Sequence, residues 1–117
     1  MGYMRHHAIV VSSWDEKQLN IAHECAKRFF GHTVSNIVTG FSNFESSFFI
    51  GPDGSKEGWD ESDEGDIRRA SYTDYLRSFE YEDNSTPVKW VEVQYGDDNY
   101  ETKIIHDSDD SMRDQRQ

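Results

Sequence analysis

The run His7–Ser12 (HAIVVS) constrains this chain more than any other stretch. Its small and β-branched residues are apolar at consecutive positions, so a strand built from it offers apolar groups to both faces. That suits the centre of a sheet. Ser13-Trp14-Asp15-Glu16 follows directly and has the form of a capping box, with Ser13 as N-cap and Glu16 three residues later. Leu19, Ala22, Ala26, Phe29 and Phe30 then recur at helical spacing. Glu16, Lys17, Gln18, Asn20, Glu24 and Lys27 fall mostly outward, and Gly31 stands where a helix stops. The rest of the chain must complete a sheet around this strand.

Thr33–Ser42 is β-branched with a glycine inside it, which predicts a bent or edge strand. Asn43-Phe44-Glu45 reads as a turn, with phenylalanine an unusual occupant, and Ser46–Ile50 reads as a short strand apolar on both faces. Ile67, Ala70, Leu76 and Phe79 alternate with Arg68, Arg69, Asp74 and Arg77 in a second helix, capped by Ser62 or Asp63. Glu80–Pro87 is loop by composition. Val88–Tyr95 is a strand, Gly96–Asn99 a hairpin turn, and Tyr100–His106 the returning strand.

The order β-α-β-β-α-β with an added strand predicts one α+β domain over residues 1–106, a ferredoxin-like split βαβ. Its antiparallel sheet would carry two helices on one face, the first and third strands central and the fifth strand beyond the fourth. A different sheet order of the same elements is the alternative. Residues 107–117 hold no apolar anchor beyond Met112 and are expected to form a disordered polar tail.

Between the third strand and the second helix lies Gly51–Asp66 (GPDGSKEGWDESDEGD). Glycines at 51, 54 and 58 permit sharp turns or the close approach of a ligand. Seven carboxylates share the stretch with Trp59, an aromatic in a very polar setting. Asp53, Ser55, Lys56, Glu57, Trp59, Asp60, Glu61 and Asp63 are therefore candidate binding residues, joined by Trp14 in the first turn of the first helix. If Trp14 and Trp59 lie at one end of the sheet, they flank a pocket or form a hot spot. Trp90 reads as a third exposed aromatic. The acids do not follow the calcium-loop ladder, and Gly54-Ser55-Lys56 lacks the glycine spacing of a phosphate cradle. No zinc-ligand spacing occurs, and Cys25 falls near the buried stripe of the first helix, so no metal, cofactor or catalytic residue is assigned.

The net charge of -11 disfavours direct binding to nucleic acid or to anionic membrane. A lone cysteine fits a reducing compartment, and no apolar stretch reaches membrane-span length. The cytosol is the expected location. Three segments, GYMRHHAIVVSSW, PDGSKEGWDESDEGD and WVEVQYGDDNYET, together resemble a group of small proteins encoded by tailed bacteriophages, over nearly the whole chain. The resemblance implies a viral protein made in the cytoplasm of an infected bacterium, and no functional residue follows from it.

Three functional readings result. The first is a non-enzymatic binding protein that engages a basic host protein through an acidic, aromatic-bearing surface, with nucleic-acid mimicry as a special case. The alternative is a protein that sequesters a small, nucleotide-like ligand. The third is a small enzyme using the Gly51–Asp66 loop.

Overall fold

The computed structural model describes residues 5–97 and 101–115, with side chains as far as Arg113. The elements run β1 His6–Ser13, α1 Glu16–Phe30, β2 Val38–Thr39, β3 Ser46–Ile50, α2 Asp60–Arg77, β4 Val88–Tyr95, β5 Lys103–Asp107 and α3 Asp110–Gln115. A short 3-10 turn, Gly31–Thr33, follows α1. The architecture is α+β. Five strands form one sheet in the order β2-β3-β1-β4-β5, and every pairing is antiparallel. β1 lies in the middle, as its two-sided apolar sequence predicts, and β5 extends the sheet beyond β4.

Register builds the core. Ile9 faces Ile50, Val11 lies between Phe48 and Trp90, and Ser13 faces Val88, so these side chains share one face of the sheet. Leu19, Ala22 and Ala26 of α1 and Tyr72 and Leu76 of α2 pack down on them. The Tyr72 hydroxyl donates to the Ala22 carbonyl at 2.8 Å, tying the two helices together within the core. Full burial of each large apolar side chain stabilises by about 1.5–3 kcal/mol, and that drives the packing. On the other face Val10 and Phe49 remain 38% and 41% exposed, so β1 is central in the sheet without being covered on both sides.

Four expectations change. Ser13 does not cap α1, because the sheet retains it as the last residue of β1. Its buried hydroxyl donates to the Pro87 carbonyl at 2.7 Å and accepts from the Asp15 amide at 2.9 Å. Asp15 is the N-cap, accepting from the Gln18 amide at 3.2 Å.

α2 begins at Asp60, earlier than its apolar residues suggest, with Trp59 at the N-cap and no side-chain cap. Asp60, Glu61 and Asp63 fill the first turn, where the helix dipole favours negative charge. Its inner stripe is Ser62, Gly65, Arg69, Tyr72, Thr73 and Leu76, while Ile67 is 66% exposed and Ala70 also faces solvent. Ile67 stands two residues from both Gly65 and Arg69, about 200° around the helix from either, so burying the stripe turns Ile67 out.

The predicted second strand shrinks to Val38–Thr39 at the sheet edge. It is joined to β3 through a tight turn in which Asn43 and Phe44 both have positive φ, 58° and 59°.

Of the expected tail, residues 107–115 are structured: β5 runs to Asp107, Ser108 is buried with its amide donating to the Trp90 carbonyl at 2.9 Å, and α3 follows. Arg77 holds α3 by an ion pair with Asp110 at 3.2 Å. Of the predicted Gly96–Asn99 turn, residues 98–99 lie outside the described residues.

Candidate functional site

The Gly51–Asp66 stretch divides in two. Residues 51–59 form a loop over the end of the sheet where β1 begins, and Asp60 onward is helix. Gly54 and Gly58 take φ of 83° and 91°, which side chains rarely tolerate. Asp53 organises the turn, its carboxylate accepting from the Ser55 amide at 2.8 Å and from the Ser55 hydroxyl at 2.6 Å. The loop then reaches back to β1, where Glu57 Oε1 lies 3.3 Å from His7 Nε2.

Beneath this loop the helix–sheet interface is polar. α2 turns Ser62, Gly65, Arg69 and Thr73 inward, and β4 answers with Glu92 and Gln94, all of them buried. Arg69, 8% exposed, pairs through Nη2 with Asp66, and its Nε lies 3.8 Å from Glu92 Oε2. Gly65 makes room for the cluster. A Cβ there would stand 2.7 Å from Asp53 Oδ2 and 3.2 Å from Arg69 Nη1. Burial pushes the Asp53 carboxyl upward, but the two Ser55 hydrogen bonds, with Arg69 and His7 nearby, more than reverse this and hold it below the ordinary carboxylate value.

Two hollows flank the His7–Arg69 wall. One, about 160 Å³, opens between His32, Asp53 and Arg68 and has Ile9, Ile50 and Phe30 in its lining. The other, about 320 Å³, runs under α2 past Thr73 and Arg77 to Gln94 and His106. His7 Nδ1 is enclosed and has no hydrogen-bond partner among the described residues. A polar, partly enclosed site with both charge signs can bind and orient a small ligand. Among the described residues no three His, Cys, Asp or Glu side chains converge as metal ligands. Cys25 packs against the core, where burial raises its thiol pKa.

The structure thus brings Asp53 and Glu57 together with His7 and Arg69, while Ser55 serves Asp53. The Lys56 ammonium sits 5.9 Å from the Trp59 ring centroid. Trp59, Asp60, Glu61 and Asp63 are all exposed around the start of α2. Trp14 is elsewhere. Because β1 and β3 are antiparallel, the chain leaves β1 beside Ser46, whereas the Gly51 loop begins beside Ile9. Trp14 and Trp59 therefore occupy opposite ends of the sheet and flank no common pocket. Trp90, expected on the surface, is buried against the helices with the Arg77 guanidinium 5.0 Å from its ring centroid.

At the Trp14 end two further aromatics join it. Phe44 lines a shallow hollow with Trp14, Asp15, Glu16, Lys17 and Asn20. Phe41, in the same hairpin, is fully exposed, and Phe44 is 83% exposed. Sequence reasoning passed over Phe41, His7, Gly65, Arg69 and Glu92. The phase of Tyr72 and Leu76 would have turned Gly65 and Arg69 inward, and a phenylalanine in a tight turn was the signal for Phe44. Comparison with protein-family models, with curated proteins and with solved structures yields no match.

Proposed function

We propose that this chain is a non-enzymatic binding protein that engages another protein through the aromatic end formed by Trp14, Phe41 and Phe44. The observation carrying this reading is the hairpin tip, where Phe41 and Phe44 project their rings into solvent. Phe44 holds them there at a φ of 59°, a conformation costing a bulky residue about 1–2 kcal/mol. The monomer gains no burial in return. Aromatic side chains that a monomer leaves in solvent are what a protein interface uses as anchors. The exposed Glu16 and Glu45 beside them, within a chain of net charge -11, favour a partner whose apolar pocket is rimmed by Lys or Arg.

The reading extends to a phage-encoded protein acting on a host protein in the bacterial cytoplasm, without direct contact to nucleic acid or membrane. On the fold, the β2-β3-β1-β4 order and the crossovers through α1 and α2 support a ferredoxin-like split βαβ lengthened by β5. A second binding surface, favoured by exposed Trp59 next to Asp60, Glu61 and Asp63, lies at the far end of the sheet.

Affinity capture from bacterial lysate with matched variants tests the assignment. Phe41→Ser with Phe44→Asn should lose the captured partner, whereas Asp60→Asn with Glu61→Gln should retain it. A folded Phe41/Phe44 variant that captures the same partner undiminished would falsify the aromatic-end reading.

A further inference from the structure

We propose that the cavity of about 160 Å³ beneath the Gly51–Trp59 loop binds a small zwitterion of amino-acid size, its carboxylate facing Arg69 and its ammonium facing Asp53. This site is separate from the aromatic end and does not depend on it. Size sets the first limit, since a cavity near 150 Å³ holds about one benzene-sized body and excludes a nucleotide. Chemistry sets the second. The inner wall is apolar where Ile9, Ile50 and Phe30 meet it, so it suits a short hydrocarbon side chain.

The polar wall carries both signs in fixed places. Arg69 spends Nη2 on Asp66 and directs Nε at Glu92, while Nη1 makes no hydrogen bond among the described residues. That Nη1 points toward Gly65, at the cavity wall. Asp53 Oδ2 converges on the same glycine, while its Oδ1 is occupied by Ser55. The absent side chain at position 65 is what lets a guanidinium and a carboxylate border one small space.

A simple anion entering there meets Asp53, and a simple cation meets Arg69. Only a molecule with both charges a few bonds apart satisfies each. Arg68, at the mouth, adds attraction for the carboxylate, although Glu64 at 3.7 Å shares it. His7 lines the cavity too.

The test is a two-dimensional ¹⁵N NMR titration of the full chain with L-valine, with 3-methylbutanoate (valine without its ammonium), with isobutylamine (valine without its carboxylate) and with inorganic phosphate. Valine should saturably shift the amides of Gly51, Gly65 and Arg69, with each truncated analogue weaker by about tenfold or more. Asp53→Asn keeps the shape and the Ser55 contacts, and it should weaken valine by about tenfold while leaving 3-methylbutanoate binding equal or stronger. The proposal is overturned by any one of four results: no saturable shift with valine, equal binding of valine and 3-methylbutanoate, phosphate binding more tightly than valine, or unchanged valine affinity in a folded Asp53→Asn protein.

Discussion

Replacing Ser13 by alanine should cost clearly more stability than replacing Asp15, although both residues sit at the start of α1. Asp15 is the N-cap, and its carboxylate makes one hydrogen bond, to the Gln18 amide at 3.2 Å in a partly exposed position. Losing such a cap costs about 1 kcal/mol. Ser13 is 1% exposed and serves two groups, donating to the Pro87 carbonyl at 2.7 Å and accepting from the Asp15 amide at 2.9 Å. Alanine leaves both without that partner, the carbonyl in a place closed to water, and each bond is worth about 0.5–1.5 kcal/mol with a further desolvation cost for a group left unsatisfied. The sum is about 2–3 kcal/mol for Ser13→Ala against about 1 for Asp15→Ala. Urea unfolding resolves the two, because at a slope of about 1–3 kcal/mol per molar a loss of that size moves the midpoint by roughly a molar. Equal slopes are required for the comparison. A Ser13→Ala protein no less stable than Asp15→Ala would show that Ser13 does not tie β1 to the loop before β4.

Phe44→Asn should raise the melting temperature, since asparagine tolerates positive φ, with a gain of about 0.5–1 kcal/mol by calorimetry. Gly65→Ala, which in an ordinary helix interior gains about 1 kcal/mol, should give no gain here, because the new methyl group displaces the Asp53 carboxylate 2.7 Å away. Deleting residues 108–117 removes the Ser108–Trp90 hydrogen bond and the Arg77–Asp110 ion pair, and should lower the melting temperature by about 4–8 °C; an unchanged value would mean that α3 does not dock. Burial pushes the Asp110 carboxyl up, but Arg77, the Asp107 amide and His106 hold it below its ordinary value. Its folded pKa being the lower one, its contribution is complete above about pH 5 and drains away as pH falls below about 4, so Asp110→Asn should flatten the acid limb of a stability–pH profile.

Local pattern was enough for several features. Two-sided apolar character placed β1 inside the sheet, helical spacing of Leu19, Ala22 and Ala26 defined the buried face of α1, and the acids before Ile67 matched the positive end of a helix dipole. Each of these depends on neighbours within a turn or two of chain, where propensity and periodicity act. The candidate site depends on partners far apart in sequence. His7 meets Glu57 and Arg69 meets Glu92, and neither residue type nor spacing announces such a pair. Trp14 and Trp59 looked like partners until antiparallel pairing of β1 with β3 put them at opposite ends.

The deepest dependence is in α2. Read by its apolar residues alone, it turns Ile67 and Ala70 inward and leaves Arg69 in water. Tertiary packing decides otherwise, because Tyr72 must meet Ala22 of α1. A helix is rigid at about 100° per residue, so that single contact sets the phase of every turn before it. Gly65 and Arg69 are thereby driven under the loop, and a polar cavity stands where the sequence by itself implied only a charged surface.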